Sequence, residues 1–176
     1  MVEYYFDIET TGLDPEKDKI ITIQRQLIKF GRPTGPIEIL NTWDSSEKEV
    51  LEEFLSMAYC PNMWDFVYIG TNLLFDFNFI NERAKKCELR GTDFAYCCER
   101  PHLDLKHVMI LLNEGRFKGY SDILGKGTQL DNTLVPQWYY EKKYGKIKQY
   151  IELEAEKTIE FYGKLIKCLP TIRNKL

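Results

Sequence analysis

Phe6 to Pro15 reads FDIETTGLDP, and it places Asp7 and Glu9 two residues apart on an alternating segment just ahead of a turn. In an extended strand successive side chains point to opposite faces, so Val2, Tyr4, Phe6 and Ile8 take one face while Asp7 and Glu9 share the other. Two neighbouring carboxylates resist ionising together unless a cation neutralises them. The pair therefore points to a divalent metal, with Mg2+ the first choice because it prefers carboxylate oxygens and retained waters.

Residues 2–9 read as a strand, Thr10 to Pro15 as a turn, and Lys19 to Lys29 as a second strand rich in Ile and Gln. Gly31, Pro33, Gly35 and Pro36 mark a reversal into a third strand near Ile37 to Trp43, which makes an antiparallel meander. Ser46 followed by Glu49 is a capping box, and Val50, Leu51, Phe54 and Leu55 supply the stripe of a helix of about three turns. Asp65 to Ile69 reads as a strand buried on both faces and ending at Gly70, with helical spacing resuming after Phe75. His102 to Leu112 predicts a short strand or extended lead-in and then a helix capped by Asp104. Short helices and loops are expected over Gly115 to Val135, another helix over Gln137 to Tyr144, and a long helix over Ile147 to Cys168, before Pro170. Strands first, then strands alternating with helices, predict an α/β fold: a mixed central sheet with helices on both faces, in one domain over residues 1–176.

Apolar content of 44% and charged content of 29% are those of a folded soluble protein, and the eleven Tyr and ten Phe are read as packing residues. A net charge of −3 disfavours a broad non-specific nucleic-acid surface, because phosphate binding draws on Lys and Arg. Two local patches stand out, Arg83, Lys85, Lys86 and Arg90, and Lys142, Lys143, Lys146 and Lys148; each fits a solvated face or a phosphate track. The chain has no apolar run long enough to span a membrane, and Glu3, Asp7 and Glu9 interrupt any leader pattern, so a cytoplasmic location with no membrane partner is expected. Cys60, Cys87, Cys97, Cys98 and Cys168 have neither a CxxC pair nor zinc-spaced histidines, which predicts reduced thiols.

Further acids complete the pattern. Asp76, in GTNLLFDFNFI, falls where a helix begins and shares a face with Ile80, Ala84 and Cys87. On the last helix Glu154 lies within the stripe of Ile147, Tyr150, Ile151, Thr158, Phe161 and Leu165, whereas Glu152, Glu156 and Glu160 project the other way as solvated acids. Tyr150, one turn before Glu154, brings its hydroxyl to the same place. Acids from three separate elements are the inventory for two hard cations about 3.5–4 Å apart that clamp a phosphodiester.

These residues resemble the 3′-to-5′ exonucleases of the DEDD superfamily, of ribonuclease H-like fold, and specifically their tyrosine-containing branch. FDIETTGL matches the first motif, Asn72-Leu-Leu-Phe75-Asp76 the N-x2-F-D form of the second, and Tyr150-Ile-Glu-Leu-Glu154 the Y-x3-D of the third. The chain looks most like the proofreading domains of family B DNA polymerases without a polymerase portion, which implies a stand-alone exonuclease. Glu154 departs from the family's Asp: the extra methylene moves its oxygens, and either weakens a metal, shifts metal preference or is absorbed by a small helix displacement.

The resemblance implies a catalytic set of Asp7, Glu9, Asp76, Tyr150 and Glu154, and two Mg2+ or Mn2+ ions held by the four acids. Asp7, Glu9 and Glu154 would bind the ion that carries the attacking water. Asp7 would also reach the second ion, which Asp76 would hold through waters, and Tyr150 would orient the nucleophile. Thr10 backbone, Leu13, Asn72 and Phe75 would meet the last nucleotide of a single-stranded DNA or RNA 3′ end. DNA is the favoured substrate. An RNA-trimming enzyme, a ribonuclease H-like endonuclease and a catalytically weakened end-binding module are the alternatives, and His102 and His107 are expected to be surface or capping residues.

Overall fold

β1 (Val2–Thr10) is the strand around which the others assemble. β2 (Ile20–Lys29) pairs with it antiparallel, placing Gln24 opposite Asp7 and Thr22 opposite Glu9. β5 (Phe66–Gly70) pairs with its other edge in parallel, and β6 (His102–Asp104) follows β5, again in parallel. β3 (Arg32–Pro33) and β4 (Glu38–Asn41) both pair with the far edge of β2, which completes the expected meander. The computed structural model describes residues 2–58, 66–89, 99–125 and 131–174. Asp65, Arg90, Cys60, Cys97 and Cys98 therefore lie outside the described residues, while Cys87 and Cys168 are free thiols.

Helices cover both faces of this mixed sheet, as the order of elements predicts. Phe6, Ile8 and Ile23 on one face pack against Val50, Leu51 and Phe54 of α1 (Glu47–Ala58) and Phe77 and Ile80 of α2 (Leu73–Lys86). The rings of Phe6, Phe54, Tyr68 and Phe77 form the centre of that layer, with Phe6 4.7 Å from Tyr68 and 5.3 Å from Phe54. Each such burial contributes about 1.5–3 kcal/mol. The opposite face packs Tyr5, Ile28 and Ile69 against Leu105 and Met109 of α3 (Leu105–Leu112) and Ala155 and Ile159 of α5 (Tyr144–Arg173). Two 3-10 turns, Tyr120–Leu124 and Asn132–Leu134, lead to α4 (Val135–Tyr140).

Several boundaries differ from the sequence expectation for physical reasons. The register of β1 and β2 slips after Glu9, so Thr10 meets Ile20 and Ile21 becomes the extra residue. Ile20 then joins the first core layer while Ile21 packs with Val135, Ile147, Tyr150 and Ile151. α2 starts at Leu73, ahead of Phe75, because its first amides are capped from a distance: Asp104 accepts from Asn72 N at 2.8 Å and Leu73 N at 3.1 Å, with Asn72 left-handed at φ 66. Asp104 also caps its own helix by accepting from Lys106 N, as expected, and the Ser46–Glu49 capping box is formed. α4 lies earlier than Gln137 to Tyr144, since Lys142 at φ 57 separates it from α5. α5 continues through Pro170 to Arg173; the lost N–H and the ring's crowding of the carbonyl four residues back fall in the exposed last turns, where they disturb only the helix end. Among the described residues no helix is long and apolar enough to cross a membrane.

α5 reaches the sheet through glycine. A Cβ on Gly163 would sit 2.4 Å from the carbonyl oxygen of Gly31, which itself has φ +70. Gly163→Val should push α5 outward and lower stability by about 1–3 kcal/mol, read as a lower thermal midpoint by circular dichroism.

Candidate metal and active site

β1 delivers Asp7 and Glu9 to the face of the sheet that α5 covers, and α5 returns Glu154 to them. One oxygen from each of the three carboxylates lies within 4.8 Å of the others. Glu9 and Glu154 are buried and Asp7 is half-buried, so water screens their repulsion poorly. Asp76, from the first turn of α2, is 3% exposed, and its Oδ2 has no hydrogen-bond partner among the described residues. Burial first, and then the charges of Asp7 and Glu9, hold the Asp76 carboxyl well above the usual carboxylate range.

A buried, unpartnered carboxyl oxygen beside three converging carboxylates is the donor set a hard divalent cation takes. The residues fit one, and Glu154 joins the cluster despite its extra methylene. Tyr150, also buried, hydrogen-bonds to Glu154; burial first, then the charges of Glu9 and Glu154, push its phenol far above its ordinary range. The hydroxyl consequently keeps its proton and serves as a hydrogen-bonding group.

The other anticipated residues follow Glu9 or precede Asp76 in the chain. Thr10 ends β1, its hydroxyl donating to Gly12 O at 2.6 Å, and Leu13 in the following turn is 82% exposed. Phe75 is half-buried against Phe79, with ring centroids 5.5 Å apart. The Asn72 side-chain oxygen accepts from Lys106 Nζ at 2.8 Å. Glu152, Glu156 and Glu160 are exposed as expected, and His107 is too, whereas His102 is half-buried edge-on to Phe77 with Nδ1 2.8 Å from Arg100 O.

Over its described part the first basic patch is paired with acids. Arg83 is buried and forks onto Glu47 at 2.9 and 2.7 Å, Lys85 pairs with Glu82, and Lys86 pairs with Glu16. The second is different: Lys146 Nζ and Lys148 Nζ each lie 5.9 Å from an indole centroid, of Trp138 and Trp43 respectively. Trp138 in turn meets Tyr150 edge-on at 6.4 Å, so this aromatic and basic surface abuts the acidic cluster. A separate cleft of about 510 Å3 runs along α5 beside Gly31 and Gly163, where Glu152, Glu156 and Glu160 are matched by Arg32, Lys164 and Lys167, so its lining favours neither sign of charge. Thr22, Gln24 and Tyr5 also contact or flank the acids; the sequence signal for them is the alternation of Thr22 and Gln24 with Ile21 and Ile23.

Comparison with known proteins bears on the family and the fold. A family model described as the RNase H superfamily matches residues 4–121. The uncharacterized protein MJ0365 of Methanocaldococcus jannaschii is 26% identical over 96% of this chain and 97% of its own. Among solved structures, the metal-free E. coli ExoI–ssDNA complex superposes with a TM-score of 0.51 at 15% identity, covering 67% of this chain and 31% of that one. Its zinc-bound form gives 0.51 at 16% identity, covering 67% and 30%. The product-bound structure of exonuclease I gives 0.52 at 16% identity, covering 67% and 33%. The chain thus spans about a third of the length of these structures, and the likeness establishes a ribonuclease H-like fold.

The raised Asp76 carboxyl has a thermodynamic consequence. A group whose pKa is higher folded than unfolded stabilises the fold below its unfolded pKa of about 3.9, and that contribution is lost as pH rises through the folded value. Metal-free Asp76→Asn protein should therefore melt higher than the parent at neutral pH, with the gap closing below about pH 4. Thermal melts in EDTA across that range, with and without Mn2+, measure it; added Mn2+ should raise the parent's midpoint more than the variant's.

Proposed function

This chain belongs to the RNase H superfamily, and from that membership and the carboxylate cluster around Asp7 we propose that it is a metal-dependent 3′-to-5′ exonuclease. It would be of the tyrosine-containing branch, hydrolysing phosphodiester bonds at the 3′ end of single-stranded nucleic acid, DNA in preference to RNA, with residues 1–176 as one catalytic domain. The observation that carries this reading is the convergence of Asp7, Glu9 and Glu154 within 4.8 Å, with the Tyr150 hydroxyl bonded to Glu154. The ssDNA complexes of the structurally similar exonuclease I support the substrate class.

Asp7, Glu9 and Glu154, with Asp76 beside them, are the residues that would hold two Mg2+ or Mn2+ ions. Ions bound there would lower the pKa of a coordinated water and offset charge developing on the phosphate. Tyr150, kept protonated by its surroundings, orients the attacking water through its hydroxyl and does not take its proton. The exposed Leu13 and the backbone of Thr10 wedge the terminal base, and Phe75 backs it. Asn72, tethered by Lys106, meets the same nucleotide. Lys146 and Lys148 track the phosphates upstream of the scissile bond, beside Trp138 and Trp43.

Incubation with 3′-labelled and 5′-labelled DNA and RNA oligonucleotides in Mg2+, Mn2+ or EDTA tests the reading. Progressive shortening from the 3′ end, abolished by EDTA and reduced about 10³-fold or more by Asp7→Ala, is the expected result. Internal products, or binding without cleavage in either metal, would overturn it; faster trimming of RNA would reverse the substrate preference alone. Tyr150→Phe should slow turnover about 10²-fold while still binding Mn2+. Lys146→Gln with Lys148→Gln should raise KM at moderate salt and flatten its salt dependence, with kcat little changed.

A further inference from the structure

Strand β2 carries two polar side chains, Thr22 and Gln24, with 0% exposure, on the sheet face that also holds Asp7 and Glu9. A hydroxyl and a carboxamide so placed cost free energy unless each finds a partner. Their partners form a chain that ends on the metal site. Thr22 Oγ1 donates to Gln24 Oε1 at 2.8 Å, and Gln24 Nε2 donates to Asp7 Oδ2 at 3.2 Å. The hydroxyl of Tyr5, 1% exposed, donates to the same Asp7 Oδ2 at 3.2 Å.

The chain has one direction. A carboxylate only accepts, so the amide of Gln24 must turn its nitrogen to Asp7 and its oxygen away, and the Thr22 hydroxyl supplies a proton to that oxygen. The Gln24 amide and the Tyr5 hydroxyl are both neutral donors. They fix the carboxylate without adding a positive charge that would compete with a cation for it, which an Arg or Lys at position 24 would do. Antiparallel pairing sets the reach, because Gln24 lies directly across from Asp7.

We propose that Gln24 is a positioning residue for Asp7, with Thr22 locking its amide and Tyr5 as a second donor, so that the Asp7 carboxylate is held in the orientation a divalent ion requires. This rests on the metal-site reading above. It explains two fully buried polar residues that alternate with Ile21 and Ile23, and it extends the site from the acids to the adjacent strand.

Mn2+ binding to the full chain, followed by isothermal titration calorimetry, is the test. Gln24→Met keeps length and bulk but removes the donor, and should weaken Mn2+ about 10- to 100-fold. Thr22→Val, a hydroxyl-for-methyl exchange, should weaken it less, in the same direction. Because both donors end on one oxygen, Gln24→Met combined with Tyr5→Phe should depart from additivity. Excess Mn2+ should restore the nuclease rate of Gln24→Met to within about twofold of the parent, a rescue that a general packing defect would not show. A folded Gln24→Met that binds Mn2+ as tightly as the parent overturns the proposal. Should that variant fail to fold, an unchanged affinity in Thr22→Val overturns it instead. A parent chain that binds no Mn2+ sinks this proposal and the exonuclease reading together, whereas Mn2+ binding without 3′ trimming sinks only the latter.

Discussion

Mutual repulsion among Asp7, Glu9, Asp76 and Glu154 is the constraint that the rest of the molecule answers. Three of these acids bring oxygens within 4.8 Å of one another and the fourth is buried beside them, where low dielectric magnifies the cost. Such a cluster stays together only if the elements carrying it are held rigidly by something else. β1 is clamped on both edges, by β2 antiparallel and β5 parallel, and buries Phe6 and Ile8 into the aromatic layer beneath. α5 is held by Ile147, Ile151, Ala155 and Ile159, each almost fully buried, on either side of Glu154. Hydrophobic burial on these two elements supplies the free energy that offsets the electrostatic strain at the site.

A second set of contacts fixes the turn that follows the acidic pair. Glu47, in the first turn of α1, accepts from Ile20 N at 2.8 Å and from the Arg83 guanidinium, while Arg83 also reaches Pro15 O at 3.1 Å. Within the turn Asp18 accepts from Asp14 N, and Thr11 N donates to Lys19 O. The segment is therefore anchored at its base while Leu13 projects into solvent, the arrangement expected of a contact residue on a rigid scaffold. Arg83 and Glu47 form a largely buried ion pair whose main effect is geometric: it ties α1, α2, β2 and the turn into one unit.

Much was legible in the primary structure because the signals were local. Alternation over Val2 to Thr10 assigns faces to Phe6 and Asp7, helical spacing places Glu154 inward and Glu152 outward, and the Ser46–Glu49 and Asp104 caps announce their helices. Each depends on side chains within a few positions of one another, where the periods of strand and helix are fixed by backbone geometry. The start of α2 has no local signal, because its cap comes from Asp104, 32 residues away. The inward role of Arg83 and the slip that turns Ile21 toward Tyr150 likewise arise from pairings distant in sequence.

Residue order by itself determined which acids exist, which face each takes and that they belong to strand and helix elements of an α/β chain. Only tertiary structure decided that Asp7, Glu9 and Glu154 share one place, that Asp76 is buried with an oxygen unpartnered among the described residues, and that Gln24 crosses to Asp7. The reason is physical: periodicity sets the direction of a side chain along its own element, whereas the distance between elements follows from packing and strand register, which close only when the whole sheet and its helices assemble.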